Sequence, residues 1–178
     1  GIDTCSYHLD LYLGLDRERG IERDPFWATH HVFTPDGNKA SAAHFKRRHI
    51  RHHWMPPAIV SDECVPGTKR DKYAYDVVFV GSEGYHREWP WRGQLVAFLR
   101  ERYGDKFRHF GNSAPEGQTR GQDLNDLYAS AKIAVGDSLN LPGNTHYWTD
   151  RYFETVGRGG FLIAPRIEAM NDFLRTHE

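Results

Sequence analysis

Several things are scarce in this chain of 178 residues. It has two cysteines, Cys5 and Cys64, too few for a disulfide framework, so a reducing, cytoplasmic setting is expected. An excess of one charge is also lacking. Against 24 Asp and Glu stand 23 Lys and Arg, so no overall field draws the chain to nucleic acid or membrane. No apolar run approaches the roughly 20 residues of a membrane span, and the opening residues carry no signal-peptide pattern. Internal repeats and low-complexity segments are absent too.

What remains suits one compact domain, or one domain and part of another. Hydrophobic residues make up 39%, enough for a core. Eleven histidines, 5 Trp and 9 Tyr supply many rings, which serve a sugar or nucleotide pocket as readily as ordinary packing. Short apolar runs alternate with helix-like segments. "HHVFT" (30–34), "YDVVFVG" (75–81), "KFRHFG" (106–111), "KIAVGD" (132–137) and "GFLIAP" (160–165) read as strands. "DVVFV" and "FLIA" are apolar without alternation, as parallel strands covered on both faces are. "WRGQLVAFLRERYG" places Trp91, Leu95, Phe98 and Leu99 on one helical stripe, with Gly104 as its stop. "DLNDLYASAK" offers Asp123 as N-cap and a stripe of Leu124, Leu127, Tyr128 and Ala131. Strand, helix, strand in this rhythm predicts right-handed crossovers and an α/β fold with a parallel sheet flanked by helices. Residues 61–74 lack periodicity and read as a linker. The section before them shows about two strands and one helix, "ASAAHFKRR", too little for a parallel sheet of its own.

Ligands of an open parallel sheet bind beyond the carboxyl ends of its strands. The exits here are Gly81-Ser82-Glu83-Gly84-Tyr85, Gly111-Asn112-Ser113, Gly136-Asp137-Ser138 and Pro165-Arg166. Three of them open with glycine, which lets backbone approach a ligand, although ordinary turns favour the same residues. In "TDRYFETVG" either Thr149 or Asp150 can cap a helix start. Arg151 in that first turn opposes the helix dipole, which points to an anionic partner or to a merely solvated side chain. Glu154 lies one turn on. A carboxylate there can accept from the two vicinal hydroxyls of a ribose, or simply face water. The run "HFKRRHIRHHW" (44–54) reads as a solvated helix face followed by an edge strand, with a phosphate-binding patch as the other reading. A metal site from His30, His31, His52 and His53 meets the difficulty that adjacent histidines on a strand point to opposite faces.

"DVVFVGS", "WRGQLVAFLRERYG", "DLNDLYASAKIAVGDS" and "YWTDRYFETVGRGGFLIAP" together resemble the C-terminal half of GT-B glycosyltransferases. Within that group they are similar to the group-1, spore-maturation-like branch, whose pattern runs DRxFExxxxGGFLLxP. "IDT…HLD", "VFTPDG" and "HHWMPPA" resemble the end of the same family's N-terminal domain. The resemblance implies a Rossmann-like nucleotide-sugar-binding domain over 65–178 and a remnant of an acceptor-side domain over 1–64, truncated or minimal, with a second copy or a further segment completing the cleft. It also implies transfer of a sugar from a nucleotide-diphosphate sugar to an acceptor that is a glycan, protein, lipid or modified nucleic acid. That sugar nucleotide is a substrate, and no cofactor is implied.

By this pattern Glu154 matches the second glutamate of an E-x7-E motif and holds the ribose hydroxyls. Gly81 and Ser82 contact phosphate, and Arg92 lies near the diphosphate. Arg120, Gly121 and Gln122 occupy the base-contacting loop, while Thr149 and Arg151 begin the helix that approaches the phosphates. His146 replaces the motif's first glutamate and is the catalytic-side candidate. Asp3 and His8 match the end of an acceptor-side strand and would supply a base if configuration were inverted; the family analogy favours retention. Without an Asp-x-Asp pair for Mg2+ or Mn2+, a metal-independent mechanism is expected. The contrasting expectation is a non-catalytic module that binds nucleotide or nucleic acid.

Overall fold

The computed structural model describes residues 1–20, 24–84 and 86–174, without the side chains of 17 and 19; Tyr85 of the first exit loop lies outside them. The fold is α/β with parallel sheets flanked by helices. The chain forms two compact units. One comprises 1–57, 139–148 and 166–178, and the other 58–138 and 149–165.

In the second unit four strands, β4 (Val77–Val80), β5 (Phe107–Phe110), β6 (Ile133–Val135) and β7 (Leu162–Ile163), lie in the order β5-β4-β6-β7, all parallel. The unbroken apolar run of β4 has a simple cause. Val77 and Phe79 meet Val96 and Leu99 of helix α2 (Trp91–Tyr103), together with Phe107. Val78 turns the other way, to Leu124, Leu127 and Tyr128 of α3 (Gly121–Ser130), with Phe110 and Ala134. Each fully buried Val, Leu or Phe contributes roughly 1.5–3 kcal/mol, so these two layers hold the sheet. Helix α4 (Arg151–Gly157) leads into β7 through Gly159 and Gly160. Gly159 has φ +84°, and a Cβ on Gly160 would press on Thr155 and Tyr128. The diglycine thus allows a sharp, close return to the sheet.

The first unit has a three-stranded parallel sheet, β1 (Cys5–Tyr7), β2 (His31–Thr34) and β3 (Arg51–Trp54), in chain order. A sheet was not expected from this section. Its outer strands are three and four residues long and mostly polar, so neither shows an apolar run. Val32 packs with Phe45 of α1 (Lys39–Arg47), Tyr12 and Trp27. The run at 44–54 divides between the end of α1, where His44 and Phe45 are buried, and β3, an edge strand. Its paired histidines do face opposite ways. His52 bonds Thr34 Oγ1 at 2.8 Å and stacks on Phe45, whereas His53 stacks on Phe33 and meets His31 Nδ1 at 2.8 Å.

Three local expectations need correction. The stripe of α2 holds in part: Leu99 is buried and Leu95 packs beside it, but Arg92 and Val96 are buried in place of Trp91 and Phe98, which are 56% and 57% exposed. Arg92 has an interior partner in Asp137. At α3, Arg120 occupies the N-cap position and Asp123 lies within the first turn, bonded by Lys72 and Tyr73. Residues 67–73 form no free linker. Thr68 N–H and Arg70 Nε donate to Asp126, Arg70 N–H donates to Ser130 Oγ, and a Cβ on Gly67 would collide with the α3 backbone at Asn125.

Candidate functional site

The strand order reverses at β4: the chain runs from β4 to β5 on one side and returns to β6 on the other. A ligand crevice opens beyond the carboxyl ends of the two strands flanking such a reversal. Here these ends are Gly81-Ser82-Glu83 after β4 and Gly136-Asp137-Ser138 after β6.

At the β6 end Asp137 is fully engaged by its neighbours, while Ser138 Oγ is buried without a partner among the described residues. Arg92 is 2% exposed, and its Nε donates to Asp137 Oδ2 at 2.9 Å. Trp89 Nε1 donates to the same carboxylate at 3.0 and 3.2 Å, and Thr149 Oγ1 donates to the Asp137 carbonyl at 3.4 Å. Arg92, expected near the diphosphate, is therefore placed inside the unit on a carboxylate. A buried ion pair of this kind costs several kcal/mol when one partner is removed.

At the β4 end the donors are open. Arg151 Nε donates to the Val80 carbonyl at 2.6 Å, and its guanidinium lies over Gly81, where a Cβ would come within 3.2–3.3 Å of it. Its terminal nitrogens meet no acceptor among the described residues. The next two carbonyls are occupied as well: Gly81 O accepts from His109 Nε2 at 2.7 Å, and Ser82 O from Arg92 Nη1 at 3.4 Å. Carbonyl and amide point in opposite directions across a planar trans peptide, so the N–H groups of Ser82 and Glu83 are turned away from these donors. Neither amide, nor Ser82 Oγ, has a partner among the described residues. Successive unpaired backbone N–H groups beside a guanidinium are donors suited to an anion.

Glu154 follows one turn along α4. Its side chain is 29% exposed, and Oε1 lies 3.7 Å from Arg158 Nη1. Arg158 is buried and fixed by Asn125 Oδ1 at 2.6 Å and Cys64 Sγ at 3.2 Å. Burial first, then Asp150, pushes the Glu154 carboxyl above its usual range, against the opposing pull of Arg158 and Arg151. A carboxylate kept partly dry is a strong acceptor for hydroxyl donors.

The remaining candidates fall elsewhere. Arg120, Gly121 and Gln122 begin α3 and are exposed; Gln122 Nε2 donates to Asp126 Oδ1 at 2.7 Å. Asp150 holds the N-cap position of α4 without a side-chain cap bond, because its backbone (φ −52°, ψ −27°) is already helical. His146, Asp3 and His8 belong to the first unit. There His146 Nδ1 meets Thr145 Oγ1 at 2.7 Å and its N–H donates to Asn38 Oδ1; Asp3 is exposed; His8 packs against Trp27 at 5.2 Å. Trp148 is fully buried. Sequence reasoning missed the roles of His109, Trp89, Asn125 and Arg158, since each acts through partners 28 to 48 residues away or through the close chain return near α4. Asp137 was visible as a loop residue but not as the partner of Arg92. Among the described residues no group of three or more His, Cys, Asp or Glu is arranged to hold a metal ion, and no helix is long and apolar enough to cross a membrane.

Residues 68–178, more than half the chain, match the family described as glycosyl transferase-like. Comparison with the curated proteins gave no match.

Proposed function

Since the chain belongs to the glycosyl transferase-like family, we propose that its second unit holds a nucleoside-diphosphate sugar at the β4 exit and that the protein passes the sugar to an acceptor, as a GT-B-type, metal-independent, retaining enzyme of the cytoplasm. The observation that carries this reading is the set of unpartnered donors at that exit: the terminal nitrogens of Arg151, the amides of Ser82 and Glu83, and Ser82 Oγ.

Breaking a glycosidic bond to a diphosphate leaves growing negative charge on the departing phosphate oxygens. Donors fixed in advance around those oxygens stabilise the charge without reorganising, which is the largest catalytic contribution available to such a site. Arg151 supplies a charged fork, held in place by the Val80 carbonyl, and the loop amides supply short-range donors. Glu154 takes the ribose hydroxyls and fixes the nucleotide's orientation along α4. Arg92 plays a supporting part: through Ser82 O and Asp137 it braces the two strand exits against each other. Arg120, Gly121 and Gln122 remain the proposed base-side contacts. His146, Asp3 and His8 remain the proposed acceptor-side and donor-sugar groups.

A turnover assay with UDP- and GDP-linked sugars tests the reading, with hydrolysis counted where no acceptor is supplied. The expected result is release of nucleoside diphosphate by the wild type and a marked loss in Arg151→Ala and Glu154→Ala. Equal release by all three proteins, or none by the wild type, contradicts it.

A further inference from the structure

We propose that His109, on the strand next to β4, is a positioning residue that sets the direction of the Gly81–Ser82 peptide and thereby aims the Ser82 amide at the bound diphosphate. The inference rests on the diphosphate reading above and adds to it the group that makes the loop competent.

His109 is 2% exposed, and its ring lies edge-on to Phe79 at 5.4 Å. Nε2 is 2.7 Å from the Gly81 carbonyl oxygen. A carbonyl only accepts, so Nε2 must carry the ring proton. Nδ1 is buried and has no partner among the described residues, so in the neutral ring it is a bare acceptor. An unsatisfied buried acceptor costs free energy, so packing alone gives no reason for an imidazole here. The bond to Gly81 does. Without it the carbonyl could swing by a peptide flip, which would exchange the direction of the C=O with that of the Ser82 N–H. The flipped loop would present a partial negative charge where the present one leaves an N–H unpaired. Gly111 shows how little room the loop has on that side, since a Cβ there would be driven into the Gly81 carbonyl.

The test uses two substitutions, one that keeps a donor and one that removes it. In His109→Gln the side-chain amide nitrogen can take the place of Nε2, whereas His109→Leu keeps bulk and loses the donor. Titration calorimetry with UDP and with GDP should show affinity for the tighter of the two falling by about tenfold in the Leu variant, the scale of one hydrogen bond to a charged phosphate, and largely restored in the Gln variant. Equal losses in both, tracking their loss of melting temperature, would make His109 a packing residue and overturn the proposal. Arg151→Ala is measured beside them. If it weakens binding while a folded His109→Leu does not, only the positioning role falls; if the wild type binds neither diphosphate, the site itself falls and His109 with it. Should His109→Leu fail to fold, nitrogen-15 NMR of the wild-type ring decides, since a proton on Nδ1 in place of Nε2 excludes the bond.

Discussion

The two arginines expected at the diphosphate occupy contrasting surroundings within one unit. Arg92 is enclosed, with its charge taken up by Asp137 and with Trp89 on the same carboxylate. Arg151 is half-buried, tied to the protein by one bond from Nε, and leaves its forked end unoccupied among the described residues. Both are first-turn residues of helices that begin beside strand exits, so position along the chain does not separate them. What separates them is contact with a carboxylate: Arg92 touches Asp137 at 2.9 Å, whereas Arg151 acts on Glu154 without an ion-pair contact among the described residues. A paired arginine builds the site, and an unpaired one is available to a ligand.

Substitution should break this symmetry in opposite ways. The largest effect is expected for Arg92→Ala, which strands Asp137 in the interior and should cost about 3–5 kcal/mol in denaturant unfolding. Full stability with abolished nucleotide binding would make Arg92 a ligand group and erase the contrast. Arg151→Ala should cost less, about 1–2 kcal/mol, for the lost bond to the Val80 carbonyl. Its nucleoside-diphosphate affinity should fall by roughly ten- to a hundredfold, as for a lost charged hydrogen bond.

A pH titration sharpens the role of Glu154. Because burial raises its folded value, the carboxylate should lose its capacity to accept from ribose hydroxyls at a pH above the ordinary carboxylate range. Wild-type affinity relative to Glu154→Gln should therefore decline by about tenfold as pH falls through that window. The sign for stability is the reverse. The folded chain holds this proton more tightly than the unfolded chain, so raising the pH through the same window lowers the contribution of Glu154 to stability. An unchanged ratio between the two proteins would leave Glu154 without a role in binding. The smallest effect concerns the exposed face of α2: Phe98→Ser should change stability by no more than about 0.5 kcal/mol, whereas Val96→Ala should cost on the order of 2 kcal/mol.

Much of the second unit was legible in advance, because its strands are apolar runs and its glycines mark their exits. β4 through β7, α2 and α3 all lie where those patterns predict. The burial of Arg92 on α2 was not, since its partner Asp137 lies 45 residues further on. The first sheet was hidden for another reason: β1 and β3 are short and polar, and only their pairing with β2 makes them strands. Within the site, Arg151, Glu154, Gly81 and Ser82 could be named from residue type and place. The direction of three consecutive carbonyls, which decides where the loop amides point, is a property of side chains drawn from α4, β5 and α2. No local pattern encodes it.

The most direct test of the central claim is a crystal structure with UDP or GDP bound. Phosphate oxygens should lie about 3 Å from the Ser82 amide and the terminal nitrogens of Arg151, with ribose hydroxyls on Glu154 and Arg92 still on Asp137. A diphosphate held by an Arg92 released from Asp137, or lodged away from the β4 exit, would contradict it.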